Sequence, residues 1–229
     1  MFSNAFLGIP LPLSPFQMIA ICVLTDICPA LSLMLEKPEK NLLTQPPRSK
    51  NNHLVDWKLM FQAFLFIGLI ETILSHAIFI WYLQWYGNFH LSDILLVYDK
   101  WENGYKGHTL EQLNEFVFTG QTITFTSLVI MQSFGNLFSS RTNFRSFFQR
   151  LPFVKKYRNL WLFAGAFVSI ILLILIIFLP FINSLFNTRS IPPQFFFIPL
   201  VFAAIIFLID ELRKLSIRKN ILCFKKFSW

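Results

Sequence analysis

Residues 19–36 read IAICVLTDICPALSLMLE, a stretch that indicates both a membrane helix and a function for it. It has the length and apolar character of a transmembrane helix, which needs about 20 residues to cross the hydrocarbon core. Yet it holds an acid in its middle, Asp26, and a proline three residues later, Pro29. A charged side chain at the bilayer centre costs roughly 3 kcal/mol on insertion scales, so such an acid is a functional candidate by default.

Pro29 strengthens the case for a functional Asp26. Proline has no backbone N–H, so the carbonyl of Thr25, four residues earlier, loses its helical partner. That carbonyl, the Thr25 hydroxyl and the Asp26 carboxylate are then three oxygens on neighbouring residues, which predicts a cation site. The alternative interpretation is a kinked helix whose aspartate is protonated or paired.

The composition of the whole chain is typical of a membrane protein. Of its 229 residues, 55% are hydrophobic and 14% are charged, whereas a soluble domain usually carries about 25% charged residues. Five stretches are long enough to span a membrane. They cover residues 16–35, 59–85, 116–138, 160–182 and 194–212. We therefore predict an all-α fold, a polytopic membrane bundle of five transmembrane helices that forms one domain over residues 1–229.

The basic residues follow the same five-span pattern. The formal net charge is +8, and most of the 20 Lys and Arg residues lie between spans one and two, between spans three and four, and after span five. The loop between spans two and three is rich in acids. This alternation fits the positive-inside rule and places the amino end outside and the carboxyl end in the cytosol. We therefore expect contact with a lipid bilayer and none with nucleic acid.

Further polar side chains lie inside the predicted spans. Glu71 is an acid in the second span that either completes the cation site or pairs with another helix. Gln132, Ser133 and Asn136 lie in the third span, where Gln132 and Asn136 are four residues apart and share a helix face. Such a polar stripe either supplies cation ligands or hydrogen-bonds to neighbouring helices.

Several motifs, in their order along the chain, resemble one family. LTDICPALSLMLEKPE resembles the sixth membrane helix of P-type cation pumps, most of all the sodium/potassium- and proton/potassium-pump group. TQPPR resembles the cytosolic loop that follows, HTLEQLNEFVFTGQT the entry to helix eight, and IDELRKLSIRKN the end of helix ten. The resemblance covers essentially the whole chain and implies membrane helices six to ten of such a pump's alpha subunit.

The same resemblance implies what the chain does not carry. These pumps hydrolyse ATP through an aspartyl-phosphate in a DKTGT motif, with separate nucleotide-binding and actuator domains, and this sequence has no DKTGT and no large hydrophilic domain. We therefore expect a truncated or fragmentary carboxyl-terminal part of a pump, which is no enzyme by itself. We expect it to bind no cofactor. The ion that we expect is a monovalent cation, sodium or potassium. We place it in the plasma membrane in preference to an endomembrane.

The resemblance carries over only part of the cation site. Thr25 and Asp26 match a Thr-Asp pair whose aspartate is a central cation ligand in these pumps. Glu71 lies where the group commonly has Gln, so its acid adds a charge to the site. The positions that differ from the family's other ligands are Cys22, Asn136, Phe167 and Val168. A thiol is a poor ligand for a hard alkali ion, and the two apolar side chains have no oxygen to offer.

In the resembling pumps, the external loop between helices seven and eight binds an accessory beta subunit through a short aromatic-Gly stretch. The residues in that place here depart from the pattern: Asn103, Gly104, Tyr105, Lys106 and Gly107. The partners that the resemblance implies are the amino-terminal half of a pump and a beta subunit. Two other interpretations stay open: an interaction module that assembles with a pump or its beta subunit and moves no ion, and a small stand-alone cation channel.

We predict that the purified chain shows no ATPase activity and forms no acid-stable phosphoenzyme with labelled ATP, because it lacks the DKTGT aspartate. A complete pump of the same group, treated identically, is the positive control. Labelled phosphate retained on the pure chain after acid precipitation would contradict the expectation that it is no enzyme by itself.

Overall fold

The computed structural model shows a chain that is helical over most of its described length. The described residues are 8–37, 55–95, 105–142, 145–149, 154 and 159–219. Within these ranges the chain forms helices joined by turns, with no strand beyond an isolated bridge between Tyr105 and His108. The prediction of an all-α fold is confirmed.

Five long helices and two short ones position the candidate site. The long ones are α1 (Pro15–Met34), α2 (Trp57–Gly87), α4 (residues 110–140), α5 (Leu160–Phe178) and α7 (Gln194–Arg218). The short helices α3 (Leu91–Ile94) and α6 (Pro180–Phe186) follow α2 and α5 respectively. Three of the long helices contain a π-helical segment: Ala20–Thr25 in α1, Phe61–Gly68 in α2 and Met131–Asn136 in α4.

Four of the predicted spans are confirmed as helices long and apolar enough to cross a membrane, namely α1, α2, α5 and α7. The third predicted span lies within α4, which is more polar. α4 packs against α1, α2, α5 and α7, so most of its residues from 120 to 133 are buried. A helix in that position has less need of an apolar surface. The count of five spans and the orientation of the termini stay predictions.

The threonine hydroxyl groups of α4 are satisfied within the helix itself. The Oγ1 atom of Thr122 donates to the Phe118 carbonyl at 2.8 Å, and that of Thr126 donates to the Thr122 carbonyl at 2.8 Å. Both side chains are fully buried. Because each hydroxyl bonds one turn back along its own helix, α4 carries polar residues into the bundle without leaving those groups unpaired.

Capping boxes start α1 and α4. The Ser14 hydroxyl accepts a hydrogen bond from the Gln17 amide at 3.2 Å, and the Gln17 side chain accepts one from the Ser14 amide at 3.3 Å. Thr109 and Gln112 exchange the same pair of bonds at the start of α4. Each box satisfies two backbone donors that a helix start leaves without partners.

A buried charge cluster joins the carboxyl ends of α4 and α7. The Nζ atom of Lys214, which is fully buried, donates to the Ser139 carbonyl at 2.8 Å and lies 2.9 Å from an Asp210 oxygen. Arg213 pairs with the other Asp210 oxygen at 2.6 Å, and Lys214 also approaches Glu211 at 3.4 Å. Two acids and two bases balance within the cluster, which offsets the cost of burying each charge.

A second buried pair ties α1 to α4 and α5 on the side where α1 ends. Glu36, just after α1, lies 2.8 Å from the Nε atom of Arg141, just after α4. Glu36 also accepts a hydrogen bond at 2.9 Å from Asn159, the residue before α5. The ends of three helices are therefore held to one carboxylate.

Gly120 marks the closest approach of α4 to α2. A Cβ atom at position 120 would lie 2.7 Å from the ring of Phe79, which is fully buried. Because the Phe79 ring is enclosed on all sides, it cannot move away from an added Cβ atom without displacing other core residues.

We predict that Gly120→Ala destabilises the bundle by about 1–3 kcal/mol, the usual cost of overpacking a core. The measurement is thermal unfolding in lipid nanodiscs, followed by tryptophan fluorescence. The double variant Gly120→Ala/Phe79→Leu is the matched control, since the smaller side chain removes the clash and should recover part of the loss. A melting temperature unchanged by Gly120→Ala would contradict the close helix contact.

Candidate cation site

Asp26 lies at the junction between the π-helical segment of α1 and the α-helix that follows. Its backbone amide donates to the Ile21 carbonyl at 3.0 Å, five residues back, and its carbonyl accepts from the Ala30 amide at 3.0 Å. The side chain is half-buried. The Thr25 hydroxyl, which was expected to face the same point, instead donates to the Ile21 carbonyl at 3.1 Å.

The Thr25 carbonyl loses its helical partner at Pro29, as expected, but another helix supplies a substitute. The hydroxyl of Ser169 in α5 lies 2.6 Å from this carbonyl oxygen and donates to it. The expected gathering of Asp26, the Thr25 hydroxyl and an open Thr25 carbonyl at one point is therefore modified. Of these three groups, only the Asp26 carboxylate has no hydrogen bond within the described part of the chain.

Glu71 lies in α2, three residues after the π-helical segment Phe61–Gly68. Its side chain is buried, and one carboxylate oxygen accepts a hydrogen bond at 2.7 Å from Asn136 of α4. The Asp26 carboxylate lies near enough to repel that of Glu71. Among the described residues, neither acid forms an ion pair with a basic side chain.

Three amide oxygens of α4 are buried without a hydrogen-bond partner among the described residues. Oε1 of Gln121 lies nearer the start of the helix, and the other two lie on residues four positions apart. These two are Oε1 of Gln132 and Oδ1 of Asn136, and both belong to the π-helical segment Met131–Asn136. Ser133 is buried in the same segment. An unsatisfied buried acceptor costs on the order of 1–3 kcal/mol, and a neutral amide oxygen is a suitable ligand for a hard cation. The amide oxygens of Gln132 and Asn136 are therefore suitable ligands for a cation.

On all three helices, the candidate residues lie within a π-helical segment or shortly after one. Asp26 follows the π-helical segment of α1, Glu71 follows that of α2, and Gln132 and Asn136 lie within that of α4. Single turns of π-helix occur often at functional sites, because the extra residue redirects carbonyls and side chains. In this structure Glu71 is hydrogen-bonded directly to Asn136, and Asp26 lies on α1, which packs against α4.

Positions that were expected to contribute no ligand lie on the outside of the described structure. Cys22 is exposed, and Phe167 and Val168 in α5 are 66% and 38% exposed. Ser169, the next residue, points inward and was not identified from the sequence. Its only sequence signal was a single hydroxyl within an otherwise apolar span.

The predicted partner loop is held by an acid of α3. Asn103 and Gly104 lie outside the described residues. Tyr105 donates from its hydroxyl to Asp93 at 3.1 Å, and the Lys106 ammonium also bonds to this carboxylate. The hydrogen bond from Lys106 lowers the pKa of the Asp93 carboxyl below its ordinary value. Lys106 and Gly107 both have positive φ angles, which fits a tight turn closed by the bridge from Tyr105.

The chain is similar to known proteins over most of its length. Residues 10–216 match the family described as cation transporting ATPase, C-terminus. The chain belongs to this family. The predicted resemblance to P-type cation pumps is confirmed, and the four apolar helices are those of an integral membrane domain.

The curated relatives of this cation-transporting ATPase domain are longer proteins. The chain is 29% identical over 224 residues to sodium/potassium-transporting ATPase subunit alpha-4 of Homo sapiens, covering 93% of the chain and 21% of that protein. It is 29% identical to potassium-transporting ATPase alpha chain 2 of Cavia porcellus, over 92% of the chain and 21% of the relative. A calcium-transporting ATPase of Plasmodium falciparum (isolate K1 / Thailand) is 23% identical over 96% of the chain and 19% of the relative. The chain thus spans about a fifth of the length of these relatives.

We predict that Asn136→Ala destabilises this ATPase domain by about 1–3 kcal/mol, because it leaves the buried Glu71 carboxyl without its hydrogen-bond donor. Thermal unfolding in nanodiscs measures the loss. Ser140→Ala, an exposed position on the last turn of the same helix, is the control and should have little effect. Equal melting temperatures for the two variants would show that the contact between α2 and α4 contributes nothing.

Proposed function

We propose that this domain contributes part of the cation-binding site of a P-type cation pump. Asp26 and Glu71 are its anionic ligands, and Gln132 and Asn136 supply neutral amide oxygens. One observation carries the proposal: two carboxylates without a basic partner and two buried, unpartnered amide oxygens lie on three neighbouring helices. Thr25 and Ser133 flank these groups and complete the candidate set.

The chemistry of these groups suits a monovalent cation. Like charges in a poorly hydrated interior repel strongly, since water screens them little. A sodium or potassium ion between the carboxylates of Asp26 and Glu71 offsets this repulsion. Asn136 fixes Glu71 through its amide nitrogen, which leaves its own oxygen free for the ion. The unpartnered oxygen of Gln132 lies one turn earlier on the same helix.

The remaining parts of a transport cycle belong to other segments of a pump. The relatives are named as ATPases, and this chain matches only about a fifth of their length. We assign ATP hydrolysis to a partner segment that carries DKTGT, and we treat the amino-terminal half of a pump as a binding partner of this domain. We place the domain in the plasma membrane, as its resemblance to the sodium/potassium pumps implies.

A second candidate function is an interaction module that binds a pump or its beta subunit and moves no ion. The observation in its favour is the turn at Tyr105–Gly107, which Asp93 holds in a defined position. This function needs the turn but does not need Asp26 or Glu71. The two functions therefore predict different responses to cations.

We predict that one monovalent cation raises the melting temperature of the domain in lipid nanodiscs. The titration uses sodium, potassium or calcium chloride, with N-methyl-D-glucamine chloride keeping the ionic strength constant. At ten times the dissociation constant, binding adds about 1.4 kcal/mol of stability. Asp26→Asn and Glu71→Gln should each reduce this cation-dependent gain, because each removes an anionic ligand.

Asp93→Asn is the matched control, since it makes the same acid-to-amide change in the short helix α3, where Asp93 contacts the Tyr105–Gly107 turn. It should keep the cation-dependent gain of the unmodified chain. Melting curves that respond to no cation, in the unmodified chain and in the Asp26→Asn variant, would refute the cation site and favour the interaction module.

A further inference from the structure

The hydroxyl of Ser169 has two acceptors and one hydrogen. Its Oγ atom lies 2.6 Å from the Thr25 carbonyl oxygen of α1 and 3.2 Å from the Gly165 carbonyl oxygen of its own helix. The side chain is fully buried, so water does not compete for it. Because a serine hydroxyl donates one hydrogen, it bonds well to only one of these oxygens at a time.

The Thr25 carbonyl has no other donor in reach along its own helix. Pro29 has no N–H to offer, and the next amide, that of Ala30, already donates to the Asp26 carbonyl at 3.0 Å. The Ser169 hydroxyl therefore decides whether this oxygen is occupied. The oxygen belongs to the residue directly before Asp26, the acid of the candidate site.

Close packing of α1 on α5 keeps the hydroxyl within reach. Gly165, one turn before Ser169, has no side chain, and a Cβ atom there would lie 3.0 Å from the Cys28 carbonyl oxygen and 3.1 Å from Ser32. A larger residue at position 165 would push the two helices apart. The glycine thus sets the spacing at which a short serine side chain crosses between them.

We propose that Ser169 is a positioning residue that tunes cation affinity by competing for the Thr25 carbonyl. In the cation-free domain its hydroxyl donates to this carbonyl. When a cation takes the carbonyl oxygen as a ligand, the hydroxyl hydrogen rotates about the Cβ–Oγ bond and points to the Gly165 carbonyl. Neither state leaves the hydroxyl unpaired. The inference rests on the proposed cation site and adds a residue and a helix, α5, to it.

The competition for the Thr25 carbonyl predicts a change in cation affinity that is large enough to measure. A cation that binds at the lone pair to which Ser169 donates displaces this hydrogen bond, and the net value of such a bond corresponds to about a fivefold change in an equilibrium constant. Removal of the hydroxyl therefore has two opposite effects. It weakens the cation-free fold, because a buried carbonyl loses its donor, and it strengthens cation binding.

The test compares Ser169→Ala with Ser32→Ala in lipid nanodiscs, using sodium chloride or potassium chloride against N-methyl-D-glucamine chloride. Ser32 is a matched control: its buried hydroxyl, at the same helix interface, donates to the Pro29 carbonyl at 2.6 Å. We expect both variants to melt at a lower temperature without the cation. We expect the cation concentration at half-maximal stabilisation to fall about fivefold for Ser169→Ala and to stay unchanged for Ser32→Ala.

Each other outcome has a defined meaning. A half-maximal concentration for Ser169→Ala equal to that of the unmodified chain or of Ser32→Ala overturns the role of Ser169, while a cation response that Asp26→Asn removes leaves the proposed function standing. If the unmodified chain shows no cation response, the proposed function and this inference both fall. If Ser169→Ala does not fold, Ser169→Cys replaces it, because its weaker S–H donor should give a smaller shift in the same direction. No shift in that variant also overturns the inference.

Discussion

Backbone polar groups inside a membrane need partners within the protein, because hydrocarbon offers none. In α1 this constraint meets a proline: Pro29 removes the donor that would satisfy the Thr25 carbonyl. The bundle responds with a serine from α5, which crosses a helix contact kept narrow by Gly165. This replacement hydrogen bond ties α1 to α5 at the residue directly before Asp26.

The centre of the bundle is polar because α4 is enclosed by protein. Its threonines bond to their own helix, so they need nothing from their neighbours. Among the polar atoms of α4 that remain unpaired within the described residues are the amide oxygens of Gln132 and Asn136. Buried acceptors of this kind cost stability unless another group binds to them.

The carboxyl ends of the helices show the opposite principle, in which every buried charge is balanced. Asp210 and Glu211 of α7 are matched by Arg213 and Lys214, and the lysine also caps α4 through the Ser139 carbonyl. Complete pairing makes this region a rigid anchor. Asp26 and Glu71 differ from these acids, because neither has a basic partner within the described residues.

The sequence by itself determined the helical membrane fold, four of the apolar spans, the family and the acid–proline pair of α1, since all of these depend on local composition and spacing. It also identified Glu71 and Asn136 as candidates, because a polar residue in a membrane span stands out. Only the tertiary structure decided that these two side chains bond to each other and that Ser169 takes the Thr25 carbonyl. A hydrogen bond between residues 65 or 144 positions apart depends on how helices are rotated and spaced, and no local pattern of residues carries that information.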